Sequence, residues 1–327
     1  MQSYRIPVRL ALAAALAPCA AQICVAQDYP ARAIRIIVSQ APGSSVDILG
    51  RLIAARLTEA WGQQAVVENR PGANAIIGIE LAAKSKPDGY TLAMVVPSAM
   101  TVNQYIYKKL PYDPLRDFAP VTQSSVITFV LVVNPSLPVK SVKELVALGK
   151  TRPDQLSYSS AGIGNLSHLA AELFGLNAGL KAVHVPNKGD TPALLDVMTG
   201  QTAYMFSTMP IAVPHLQSGR LRLLAVCGTA RTPGFPAVPT LGEAGLRNVV
   251  IQGWTGVAAP AGTPAAIIAK VQKEVARHLL MADVKEQLAK QGAEPVGSTP
   301  EEFSALIHAE AEKWSQVIKR AGLANTQ

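Results

Sequence analysis

The chain is poor in charge and in aromatic rings. Of its 327 residues, 16% are charged and 5% are aromatic. Lys and Arg outnumber Asp and Glu to give a formal +8, yet they never cluster. That excludes the basic face a nucleic-acid binder needs. Low-complexity tracts and long charge runs are missing, so disorder is not expected away from the ends. No apolar stretch reaches the roughly 20 residues of a membrane span. No His pair has metal-ligand spacing, no Gly-x-Ser-x-Gly elbow occurs, and no Gly-Lys-Ser/Thr closes a phosphate loop, so neither cofactor nor metal is expected. Cysteine is scarce too, at three residues.

What is present begins with a leader. Arg5 and Arg9 precede the apolar run Leu10 to Ala17, and Cys24-Val25-Ala26 offers small side chains before a polar start at Gln27. Residues 1–26 read as a cleaved secretory signal. A lipid anchor on Cys19 is disfavoured by Pro18. Removing the signal takes both Arg residues and lowers the charge from +8 to +6. It also leaves Cys227 alone, which excludes an internal disulfide and predicts an inert thiol in an apolar strand.

Hydrophobic residues make up 49% of the chain, enough for two cores. Strand-like runs at 34–38, 65–68, 91–96, 129–133, 156–160, 181–185, 203–206 and 221–226 alternate with helical periods. This pattern predicts an α/β fold with parallel sheets. Ser141/Glu144 and Thr299/Glu302 have capping-box spacing, and Thr263-Pro264 marks a further helix start. Phe303, Ile307, Trp314 and Ile318 line one face of the last helix. The strands near 129 and 226 flank a middle segment. The expected division is therefore lobe 1 from 27–127 plus 228–327, discontinuous, and lobe 2 from 128–227.

Three glycine-containing loops follow strands and precede helices: Pro42-Gly43-Ser44-Ser45, Pro71-Gly72-Ala73-Asn74, and Gly162-Ile163-Gly164-Asn165 with Ser167-His168. Such loops are good turns. They are also places where backbone N–H groups at a helix start can hold an anion. Asp47, Glu68 and His168 are the only residues with acid or base capacity at these ends. Asp47 fits the first turn of a helix, and Lys188 fits a solvated loop.

At these loops the chain resembles the Bug receptors, the substrate-binding proteins of tripartite tricarboxylate transporters. The matching stretches include Ala41-Pro42-Gly43 with Asp47, Glu68-Asn69-Arg70-Pro71-Gly72-Ala73, Lys86-Pro87-Asp88-Gly89-Tyr90, Ser160-Ala161-Gly162 with Ser167-His168, and His184-Val185-Pro186 with Lys188-Gly189. The resemblance implies a type II periplasmic-binding-protein fold with two lobes around a ligand cleft. It also implies a periplasmic location, no catalysis, a small organic carboxylate as ligand, and the transporter's membrane subunits as partners. The candidate ligand-binding residues are Pro42, Gly43, Ser44, Ser45, Asp47, Ala73, Asn74, Ser98, Gly162, Ile163, Gly164, Asn165, Ser167, Asn187 and Ser207. The chain departs from the family pattern at Ser44, Val46, Asn74 to Ile76, Asn187 and Ser207. The last departure removes a carboxylate from a strand end, which favours ligands without an ammonium group. A sensor passing its signal to a membrane kinase and an enzyme such as a periplasmic dehydratase are the competing readings. A monomer is expected.

Overall fold

The computed structural model describes residues 29–151, 155–232, 234–290 and 292–327. The expected leader lies outside the described residues. In chain order the elements are β1 (Ile34–Val38), α1 (Ser45–Trp61), β2 (Ala65–Asn69), α2 (Ile76–Ala83) and β3 (Thr91–Val95). A π-helical turn (Ser98–Val102) leads into α3 (Asn103–Ile106), followed by β4 (Phe118–Val133) and α4 (Val142–Thr151). Then come β5 (Ser157–Ser160), α5 (Leu166–Ala178), β6 (Val183–Pro186), α6 (Asp190–Thr199), β7 (Tyr204–Thr208), α7 (Met209–Gln217) and β8 (Arg222–Val226). The chain ends with β9 (Gln252–Pro260), α8 (Ala265–Leu279), α9 (Ala282–Lys290), β10 (Ala293–Pro295) and α10 (Pro300–Arg320).

The strands run in the order β2-β1-β3-β9-β4-β7-β5-β6, with β8 and β10 also pairing β4. Two parallel trios, β2-β1-β3 and β7-β5-β6, form the centres of the two lobes. The sheets are mixed rather than parallel, because β9 lies antiparallel between β3 and β4. Helical crossovers account for the parallel trios. Between β4 and β9 the chain instead passes through the whole second lobe and returns from the far side.

Three strand segments escape a reading of hydrophobic runs: β9, β10 and the first half of β4. β9 carries Gly253 and Gly256, and the start of β4 carries Pro120, Gln123 and several Ser. Pairing with neighbouring strands, on both edges for β9, holds these segments extended where intrinsic propensity does not. The β4–β9 register shifts next to Pro120, as expected where a residue has no N–H to donate to the ladder.

The helix signals also gain detail. Thr299 and Glu302 form the complete capping box. At α4 the Glu144 N–H donates to Ser141 Oγ, but the Glu144 carboxylate accepts from the Lys140 N–H instead. The Thr263 hydroxyl donates back to the Pro260 carbonyl and does not cap α8, which starts at Ala265. Cys227 is fully buried, and burial pushes its thiol well up.

β4 belongs to both sheets. Residues 118–128 pair with β9, and residues 129–133 pair with β7 and β8. The return passes from β8 through Cys227, whose N–H donates to the Phe129 carbonyl, to Ile251, whose N–H donates to the Cys227 carbonyl. α10 spans both cores. Phe303 and Ile307 pack with lobe 1, while Trp314, Val317 and Ile318 pack with lobe 2.

Phe303 fits because residue 256 has no side chain. A Cβ at Gly256 would lie 2.2 Å from the Phe303 ring. Gly256→Ala should therefore destabilise the protein by about 1–3 kcal/mol through overpacking. Adding Phe303→Leu should recover part of that loss in urea denaturation, whereas two independent effects would simply add.

Candidate ligand-binding site

The loops singled out in the sequence sit at the carboxyl ends of the two parallel trios, where ligands of α/β sheets gather. The first loop is locked by a carboxylate. Ser44 caps α1 by accepting from the Asp47 N–H at 3.2 Å. Asp47 is buried at 2% exposure. One of its oxygens accepts from the Gly43 N–H at 2.8 Å and from Arg51 Nε at 3.0 Å, and the other from Asn69 Nδ2 at 2.8 Å. Burial raises the Asp47 pKa, but the hydrogen bonds from Arg51, Gly43 and Asn69 outweigh it and hold the carboxyl low. Asp47 thus shapes the loop from behind. Helix geometry leaves the N–H groups of Ser45 and Val46 without intrahelical acceptors. Pro42, Gly43 and Ser45 are exposed. Gly43 has φ 80°, and a Cβ there would meet nothing within 4 Å.

The second loop is strained. Gly72, Ala73, Asn74 and Ala75 have φ of 128°, 46°, 51° and 75°. Three consecutive residues with a Cβ therefore occupy the left-handed region, which Asn tolerates but which costs roughly 1–2 kcal/mol at each of Ala73 and Ala75. An amide interlock holds them there. Asn74 Nδ2 donates to Asn103 Oδ1 at 2.8 Å, and Asn103 Nδ2 donates to the Asn74 carbonyl at 2.9 Å. Backbone strain of this kind collects at functional sites. The loop also reaches the other lobe, since Asn74 Nδ2 lies 3.4 Å from where a Cβ on Gly164 would sit. Ala75→Gly should raise stability by up to about 1 kcal/mol, against the usual loss of about 0.5–1 kcal/mol for Ala→Gly in ordinary backbone. Thermal denaturation of the ligand-free protein gives the sign.

The third loop rests on two stacked histidines. His168 and His184 lie 3.9 Å apart between ring centroids and 6° from parallel, with Tyr158 stacked on His184 at 4.9 Å. His168 Nδ1 accepts from the Gly164 N–H at 3.2 Å. His184 Nε2 lies 2.6 Å from Ser160 Oγ, which accepts from the Gly162 N–H at 3.2 Å. Ser167 is fully buried. Its hydroxyl donates to Asn165 Oδ1 and accepts from the Ala161 N–H. Most amides of this loop are therefore used internally, and Ile163, exposed at its tip, is the side chain it presents outward. Asn187 donates to Asp196, Ser207 is fully buried, and Ser98 is buried in the π-helical turn.

Burial pushes His168 down to about 3, helped by His184, and His184 itself down to about 4. Both rings stay neutral in the folded protein while the unfolded chain protonates near pH 6.5. Their stability contribution is thus complete above pH 6.5 and is lost as pH falls toward 4. Between pH 6.5 and 5, above most carboxylate titrations, each neutral histidine should cost about 1.4 kcal/mol per pH unit at the steepest. His168→Gln should flatten that limb in urea melts at pH 6.5, 5.75 and 5, and an unchanged limb would show the stack to be protonated already.

Two residues of this region carried no sequence signal of their own. Asn103 becomes visible only through its lock on Asn74. Asp190, the first residue of α6, lies just past the end of β6, where the Gly189 N–H donates to the Ala161 carbonyl at 3.2 Å. It is half-buried in surface terms, yet enough protein surrounds its carboxyl that burial alone pushes it up to about 6.

Two mixed α/β lobes joined by shared strands, with Gly-rich helix starts converging from both, define a type II periplasmic-binding-protein fold. Residues 49–323 match the family model described as "Tripartite tricarboxylate transporter family receptor". The chain is 38% identical to Protein BugT of Bordetella pertussis over 298 residues, 91% of each chain. An R. palustris protein solved with adipate superposes with a TM-score of 0.84 at 36% identity, covering 91% of this chain and 99% of that one. MatC from Rhodopseudomonas palustris, solved with bound malate, superposes with a TM-score of 0.79 at 31% identity, covering 89% and 100%. The chain belongs to the tripartite tricarboxylate transporter receptor family.

Proposed function

We propose that this chain is a periplasmic receptor that captures a small organic carboxylate between its lobes and presents it to the membrane subunits of a tripartite transporter. The observation that carries this reading is the opening of the α1 start toward free space. There Ser45 is exposed and the Ser45 and Val46 N–H groups are unspent, beside a loop already fixed by Asp47. Such a helix start stabilises an anion through its aligned N–H groups and dipole without a cationic side chain. Family membership and relatives solved with adipate and malate support a carboxylate as that anion. The role is capture and hand-over rather than turnover. Asp47 is committed to the loop, and His168 holds the Gly164 amide, so neither serves as an acid or base.

We place the first crossing at 128/129 instead of 127/128, so that lobe 1 runs from residue 29 to 128 and is joined by the C-terminal part; the pairing of Thr128 with Gln252 and of Phe129 with Thr208 supports this position. For the second boundary we place the crossing at 251/252 instead of 227/228. The packing of Leu241, Val249 and Ile251 with lobe 2 supports this position. Closure is then a rotation about the Thr128–Phe129 and Ile251–Gln252 links.

Calorimetric titration with C4–C6 dicarboxylates tests the site. Ser45→Ala should weaken binding by roughly 1.5–3 kcal/mol, the range for a hydrogen bond to a charged group. Lys188→Ala should cost no more than about 1 kcal/mol, as for an exposed charge contact. Gly43→Val should abolish binding, because its side chain enters space the protein leaves open and its φ of 80° strains the α1 start; circular dichroism checks that the fold survives. This variant is a cleaner probe than Gly162→Val, whose Cβ would lie 3.2 Å from the Asn187 carbonyl. If Lys188→Ala removes binding and Gly43→Val does not, the carboxylate is held by a cation and not by the α1 start.

A further inference from the structure

Among the described residues, the Asp190 carboxylate has neither a hydrogen-bond donor nor a cation as partner. Asp190 is half-buried, and a carboxylate partly withdrawn from water is normally paired, since its desolvation without compensation is costly. The polar side chains just before it in its own loop are engaged or exposed. Asn187 spends its amide on Asp196 at 2.8 Å, and Lys188 is exposed.

The position of Asp190 gives the unpaired charge a meaning. β5 and β6 are parallel neighbours, with Ser160 opposite Pro186. Their following loops are sewn together by the Asn187 N–H on the Ser160 carbonyl at 2.9 Å and the Gly189 N–H on the Ala161 carbonyl at 3.2 Å. Asp190 therefore sits beside the third loop, at the carboxyl end of the lobe-2 trio. It supplies an acidic group at this end of the lobe-2 sheet, where Ser207 of β7 offers only a buried hydroxyl. A ligand whose carboxylate is held at the α1 start would turn its remaining substituents toward this lobe.

We propose that Asp190 is a specificity-determining residue that accepts a hydrogen bond from an ammonium or hydroxyl group carried by the bound organic acid. The inference rests on the carboxylate-receptor reading above. It narrows the ligand class from plain dicarboxylates to acids with a donor on the carbon chain. The α6 dipole favours the ionised form of Asp190, and an ionised acceptor forms the stronger bond with either donor.

Succinate, malate and aspartate share four carbons and two carboxyl groups and differ at C2 by hydrogen, hydroxyl and ammonium. Calorimetric titration at pH 7.5 of the wild-type protein and Asp190→Asn compares them directly. The wild-type protein should bind malate, aspartate or both at least 10-fold more tightly than succinate. Asp190→Asn should lower that ratio at least 10-fold while moving succinate affinity less than 3-fold. Which donor-bearing acid wins separates hydroxyl from ammonium recognition. The melting temperature of ligand-free Asp190→Asn should rise, because the unpaired charge is gone. A ratio unchanged by Asp190→Asn overturns the assignment of Asp190 and leaves the receptor reading standing. Failure of all three acids, and of adipate, to bind the wild-type protein overturns the receptor reading and this inference with it.

Discussion

A single 16-residue strand constrains everything else in this molecule. β4 gives its first eleven residues to one sheet and its last five to the other, so Thr128 pairs with Gln252 while Phe129, next in the chain, pairs with Thr208. Neither sheet can be completed without the other. The loops of both parallel trios are consequently carried on one continuous backbone. Between residues 128 and 129 the strand passes from one set of neighbours to the next. Cys227 adds a second point of contact, accepting from Ile251 and donating to Phe129. α10 adds a third by burying one end in each core.

From this frame the site acquires a division of labour. The first loop is held from below by Asp47, the second by the Asn74–Asn103 interlock, and the third by the His168–His184 stack. Each lock is polar, buried and built from a residue outside the loop's exposed tip. The tips, Gly43 with Ser45 on one lobe and Ile163 on the other, are left open. Buried polar networks that are fully satisfied fix one conformation, which suits the α1 start to the anion-holding role proposed for it.

Part of this was legible in the residues. Ile34–Val38, Thr91–Val95 and Arg222–Val226 are apolar runs that sheet burial predicts, and the face of α10 shows helical spacing with Phe303, Ile307, Trp314 and Ile318 inside. Pro-Gly and Gly-x-Gly between strand and helix marked the turns that gather at one end of each trio. β9 was not legible, because Gly253 and Gly256 make room for Phe129 and Phe303, partners that lie 124 and 47 residues away in sequence. Asp47 looked like a helix-start acid and proved to be a loop lock, a role that depends on Asn69 in another strand. Asp190 was equally silent, since an Asp at a helix start looks ordinary until the described residues around it are seen to include no partner.

The central claim is that the two lobes close on a carboxylate. Small-angle X-ray scattering tests it most directly, with the protein measured alone and with succinate, malate, aspartate and adipate in saturating amounts. The account predicts a smaller radius of gyration with at least one of these acids, and the same radius as the free protein when Gly43→Val is mixed with that acid. A radius that stays constant for the wild-type protein while calorimetry shows the acid bound would contradict it.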